Sequence, residues 1–248
     1  MAAMKPTNTR LTAKKVALVV CFTALYAVFA AIPIFQLVGS AGRISAAAIM
    51  APIIGVLLGP YLGALSALLG GTIGLSYGSF LPMSFVSGIV ATLCAGLLYD
   101  GKRVWCFIIY FLFLVLHGFY PGIGPVWLFP LYMWFQIVGL LLLTSPLLSR
   151  AIRNIRSKDI PAVLLSFFAF ALVSTLAGQI SGSLTGLTLI RNLPETQLGI
   201  FQVLTVQYPA ERITIALGAA FIGAPLFRII RSANLLRLVD HERGKGEA

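Results

Sequence analysis

The chain has 248 residues, of which 59% are hydrophobic and only 10% charged, and its mean hydropathy is +0.97. A water-facing domain carries about 25% charged residues, so a soluble globule is excluded, an ordinary aqueous enzyme is a poor expectation, and the solvent for most of the chain is lipid. The formal charge of +11 comes from 18 Lys and Arg that interrupt apolar blocks rather than forming a continuous basic face; that pattern argues against nucleic acid as a partner and marks membrane topology.

In chain order the apolar blocks cover 13–35, 44–59, 60–76, 81–99, 104–120, 126–148, 160–190 and 209–230, separated by Gly, Pro or charged breaks. They predict an all-α polytopic integral membrane bundle of about eight spans, one transmembrane domain over 1–248 in the cell membrane. Within the first block, the apolar run after Lys14 and Lys15 looks like a signal peptide. It runs to Phe35 without a small-x-small cleavage site in a polar context, and so reads as a retained helix. Positively charged loops stay cytoplasmic. Lys5, Arg10, Lys14 and Lys15 place 1–12 inside, and Arg237, Arg243 and Lys245 do the same for the tail 232–248. Lys102–Arg103 and Arg150 to Lys158 form inner loops, leaving Arg43, Arg191 and Arg212 as the outer exceptions among the 18.

The stretch 44–76 needs a reversal at Gly59–Pro60 to keep Lys102 and Arg103 inside. Each half is about 16 residues, roughly 24 Å, which is shorter than the ~30 Å hydrocarbon core. Gly55, Gly59, Gly63, Ala67 and Gly71 recur at four-residue spacing. That stripe lets another backbone approach closely, either for packing or beside a ligand cavity.

The chain has seven acidic residues and two histidines, and Cys21, Cys94 and Cys106 stand at no metal-ligand spacing. HExxH, G-x-S-x-G, Walker A and aspartate-rich prenyl-diphosphate motifs are missing. No catalytic residue, metal or cofactor is therefore expected, and the chain is not read as an enzyme. What stands out is a set of polar and aromatic residues at the outer ends of the blocks: Gln36, Arg43, Ser45, Tyr77, His117, Tyr120, Trp127, Arg191, Asn192, Glu195, Tyr208, Glu211 and Arg212. Tyr and Trp also populate interfacial belts, and Glu211 after Pro209 also suits a helix start. Arg43 offers a bidentate donor for a carboxylate or phosphate. Glu211 and Arg212 are adjacent on a helix, so at least one must turn inward. The composition of 177–208, with Arg191-Asn192-Leu193-Pro194-Glu195, reads as a span that ends early and then an external loop or lid.

The start Thr12-Ala13-Lys14-Lys15-Val16-Ala17-Leu18, running on through Ala24-Leu25-Tyr26-Ala27-Val28, resembles the first helix of the substrate-binding S components of energy-coupling factor transporters. Ala51-Pro52-Ile53-Ile54-Gly55-Val56-Leu57-Leu58-Gly59-Pro60-Tyr61-Leu62-Gly63-Ala64-Leu65 is similar to that family's second and third helices. The resemblance covers about the first hundred residues well and the rest in character. It implies a subunit that captures a vitamin, a precursor or a metal ion from outside and docks on a transmembrane coupling subunit driven by cytoplasmic ATPases. It further implies docking through an alanine-x-x-x-alanine face, matched here by Ala13 and Ala17 with Cys21 a turn on. That family has six spans, against eight counted here, with the extra pair between about Trp105 and Leu148. The outer residues suggest an anionic or aromatic small solute. A structural or scaffolding subunit is the competing reading, with those residues as interfacial anchors. A lipid-modifying enzyme is a third, and would need His117 clustered with Glu195 or Glu211.

Overall fold

The computed structural model describes residues 13–36, 42–190 and 192–232. Helix α1 (Ala13–Ala30) ends five residues before the predicted limit of its block. Pro33 lacks the N–H that would continue the helix to Phe29 and disfavours helical geometry at Ile32. The chain instead forms a short antiparallel hairpin, β1 (Pro33–Gln36) with β2 (Arg43–Ser45), in which Gln36 lies opposite Arg43.

Helices α2 (Ala47–Leu58) and α3 (Pro60–Ser76) meet at Gly59, whose φ of 80° admits the sharp break. A Cβ on Gly63 would lie 3.2 Å from the Gly55 Cα, so the two helices touch four residues either side of the hinge. The same glycines seat this helical hairpin on α4 (Pro82–Tyr99). A Cβ on Gly55 would lie 2.2 Å from the Thr92 carbonyl oxygen, and one on Gly96 2.4 Å from the Pro60 nitrogen. The small-residue stripe thus permits close backbone packing here.

After α5 (Arg103–Gly118), the predicted 126–148 block is broken into α6 (Pro125–Leu128), a 3-10 turn (Pro130–Met133), α7 (Trp134–Thr144) and α8 (Pro146–Asn154). Residues 130–144 and 146–154 are bent by 62°. Pro130 and Pro146 each remove a backbone donor. Arg103 braces the second break, donating from Nε to the Leu143 carbonyl (2.6 Å) and from Nη1 to Ser149 Oγ (2.7 Å).

Helix α9 (Ile160–Leu189) is the axle of the fold: every residue from Ala169 to Gly182 is buried. It packs most extensively on α4, where Gly178 and Gly182 face the Ser87 and Met83 carbonyls. Helix α10 (Pro194–Ser232) starts fifteen residues before the predicted 209. The polar stretch 194–208 is one amphipathic helix rather than a lid, burying Gln197, Phe201, Leu204 and Tyr208 at helical spacing. Pro209 leaves the Thr205 carbonyl without its helical donor, and the Trp134 indole N–H donates to it at 3.0 Å.

All eight apolar blocks contain helix. Among the described residues three helices, α4, α9 and α10, are long and apolar enough to cross a membrane, or four if the bent pair is counted as one; α1, α2 and α5 are apolar but shorter. The bundle exposes Val20, Val28, Trp105, Leu141, Leu165 and Phe221 on its outside, as a surface solvated by lipid does and a water-facing one does not.

The cations sort by end. Lys102 lies over the Tyr61 ring (5.8 Å) and Arg156 over Tyr99 (5.3 Å), while Arg228 and Arg231 donate to the Lys158 and Arg156 carbonyls. Those residues mark one end of the bundle, and the β-hairpin, with the α3–α4 and α9–α10 connections, marks the other.

Candidate solute-binding site

Three adjoining cavities open the hairpin end. A central one of about 100 Å³ lies between α4 and α9, closed by α1, α2 and α10. A mouth of about 670 Å³ lies between the hairpin, the α3–α4 turn and the end of α9. A third, of about 70 Å³, sits under α10 beside α5. Met83 lines all three, at the second residue of α4.

The central cavity has a largely apolar wall, with Ile44, Ala51, Phe80 and Met83 among its lining, into which several hydroxyls, one amide and one guanidinium are set. Helix α9 carries Thr175, Gln179 and Ser183 at four-residue spacing, which puts them on one face. Ser84 and Ser87 come from α4, Ser45 from the hairpin and Tyr208 and Arg212 from α10. Tyr26 reaches in from α1, where Gly88 makes room for it: a Cβ there would lie 1.8 Å from the phenol oxygen. Pro52 deprives the Ala48 carbonyl of its helical donor, and Ala48 also lines the cavity.

Gln179 sits at the centre of a buried network. Its amide donates to Tyr132 Oη (2.9 Å) and Ser183 Oγ (3.3 Å), and meets the Gln136 amide at 3.2 Å. Tyr110 Oη in turn donates to the Gln136 carbonyl at 2.7 Å. In an apolar surrounding such a network is retained only if its members satisfy one another.

Arg212 is the exception. Only 5% exposed, it lines the cavity with its Nε unpartnered. Its Nη2 lies 3.6 Å from Glu211 Oε2, close enough to balance charge but too far for a hydrogen bond, and that oxygen too is unpartnered. Gln207 donates to Glu211 Oε1 and, at 3.4 Å, to the Gln36 carbonyl. The hairpin is thereby linked through Gln207 and Glu211 to the guanidinium in the cavity.

The predicted outer residues divide. Tyr208 and Arg212 line the central cavity, Arg43 lines the mouth from an exposed position, and His117 and Asn192 line the third cavity. Glu211 is buried beside Arg212, and Gln36 joins through its backbone. Tyr77 is 82% exposed, Trp127 packs on Phe119 at the surface, and Tyr120 packs against the core; none of the three lines a cavity. Arg191 lies outside the described residues. Gln179, Ser183, Ser84 and Ser87 do not stand out in the sequence because they are uncharged and lie within apolar blocks. Their signal was present as polar side chains repeating every three or four residues inside otherwise apolar blocks. Glu195 is exposed, Glu211 is buried beside Arg212, and neither lines the cavity of His117.

The face of α1 predicted for docking exposes Ala17 and Cys21; the side chain of Ala13 lies outside the described residues. Among the described residues no cluster of three His, Cys, Asp or Glu is placed to hold a metal. No family model matches the chain, and no curated protein or solved structure matches it.

Proposed function

We propose that the chain is a membrane-embedded solute-capture subunit of the energy-coupling factor type, taking a small anionic solute from the outer face. The observation that carries the reading is Arg212: a buried guanidinium with an unpartnered donor, facing a hydroxyl-lined cavity beneath a wide mouth. A charge costs several kcal/mol to bury, and Glu211 offsets it without saturating its donors. A carboxylate or phosphate entering the cavity would complete the set.

In this reading both termini and the basic end face the cytoplasm and the hairpin end faces out, following the distribution of cations. The eight helical blocks are then eight crossings, several of them short enough to thin the bilayer or to rely on neighbours. Passage across the membrane needs a partner, since the chain has no nucleotide-binding motif. The exposed Ala17 and Cys21 on α1 suit a transmembrane coupling subunit, which cytoplasmic ATPases would drive. The test is binding by the purified full chain in lipid nanodiscs. Thermal-shift screening against small carboxylates and phosphates should yield a stabilising solute whose effect disappears in Arg212→Gln. Stabilisation that survives this substitution would count against the site. Co-purification of ATPase subunits from native membranes tests the partnership separately; a scaffolding subunit would bring down a complex without solute dependence.

A further inference from the structure

The third cavity holds a polar group that the capture site does not use. His117, in the last turn of α5, is fully buried, and neither ring nitrogen has a partner. The ring is held edge-on to Tyr132 (5.8 Å) and Phe201 (6.3 Å) and lines the cavity. A neutral imidazole presents one N–H donor and one lone-pair acceptor. Leaving both unmade in an apolar interior is costly, and native structures rarely do so without a guest or a water. Ser183 and Tyr208 line this cavity and the central one alike, so the two lie side by side across a thin wall of α9 and α10 side chains. Asn192 and Gln197, joined at 3.0 Å, line its outer rim.

We propose that the His117 cavity is the second lobe of the capture site, and that the solute is bipartite. Its anionic group meets Arg212, and an uncharged group able both to donate and to accept a hydrogen bond, such as a hydroxyl or amide, meets His117. This inference rests on the capture reading and narrows its substrate class. The central cavity alone, at about 100 Å³, is small for a site that encloses a whole metabolite; the neighbouring cavity of about 70 Å³ extends it for a longer molecule with polar ends once Ser183 and Tyr208, which line both, turn aside.

His117 and His241 are the two histidines of the chain, so full-length protein with His241→Ala and nitrogen-15-labelled histidine reports on His117 alone. In nanodiscs it is titrated with carboxylates differing by one terminal hydroxyl: butanoate and 4-hydroxybutanoate, hexanoate and 6-hydroxyhexanoate, benzoate and 4-hydroxybenzoate. In the pair whose length reaches both lobes, the hydroxyl should lower Kd about fivefold, the worth of one hydrogen bond, and should move the His117 ring-nitrogen resonances. His117→Phe should remove that gain and leave the affinity for the parent carboxylate. Carboxylates that bind and are lost in Arg212→Gln, with no hydroxyl gain and an unmoved His117 spectrum in every pair, would overturn the second lobe and leave capture standing. Failure of all six, and of the small phosphates of the thermal-shift panel, to bind would overturn both.

Discussion

The two ends of this bundle use the same residue types to opposite effect. At the basic end, glycine brings backbones together until no space is left, as at Gly55 and Gly96, and arginines spend their donors on carbonyls: Arg103 on Leu143, Arg228 on Lys158, Arg231 on Arg156. At the hairpin end Gly182 still seats α9 on the Met83 carbonyl, but Gly88 makes room for a phenol, and Arg212 lines a cavity with its buried Nε unpartnered. A cation satisfied by backbone is architecture. One that is buried with an unpartnered donor is what the proposed solute site rests on, and that difference separates the scaffold from the candidate site.

Breaking the Glu211–Arg212 pair tests the contrast with the largest effect. Arg212→Gln should abolish solute binding and destabilise the protein by about 3–5 kcal/mol, because Glu211 is left charged and buried. Chemical denaturation of Arg212→Gln with Glu211→Gln should recover a good part of that loss without recovering binding. Next is Gly96→Ala, where the new methyl meets the backbone of Pro60; a cost of about 1–3 kcal/mol is expected. Gly186→Ala, 3.8 Å from its nearest neighbour at the hollow end, should change the melting temperature little, and an equal loss in both would erase the distinction between the ends.

Gln179→Leu should cost about 1–2 kcal/mol by stranding Tyr132 and Gln136, and should weaken solute affinity as well. Arg43→Gln should leave stability unchanged and slow association a few-fold at low ionic strength, an effect that vanishes in high salt. Tyr77→Ala and Trp127→Ala should each stay within about 0.5 kcal/mol and bind solute normally.

The bundle was largely legible in the sequence because apolar blocks and the breaks at Gly59 and the loop cations are written locally. The inward turn of Glu211–Arg212 was legible too, since adjacent charges cannot both face lipid. Three features were not. The end of α1 depended on Pro33, a single residue inside an apolar run. The helical 194–208 segment looked like a loop because only one face, Gln197, Phe201, Leu204 and Tyr208, is buried. The cavity wall came from hydroxyls on α4 and α9, whose meeting is a tertiary fact: Ser84 and Thr175 stand 91 positions apart.

Sidedness decides the central claim, that the hollow end receives a guest from outside. In a variant with all three native cysteines replaced by alanine, single cysteines at Ser79, which lines the mouth, and at Lys102 are exposed in intact cells to a membrane-impermeant maleimide. The account predicts labelling at 79 from outside, diminished by a bound solute, and none at 102 until the cells are opened. Labelling of 102 in intact cells, or of both positions from the same side, would contradict it.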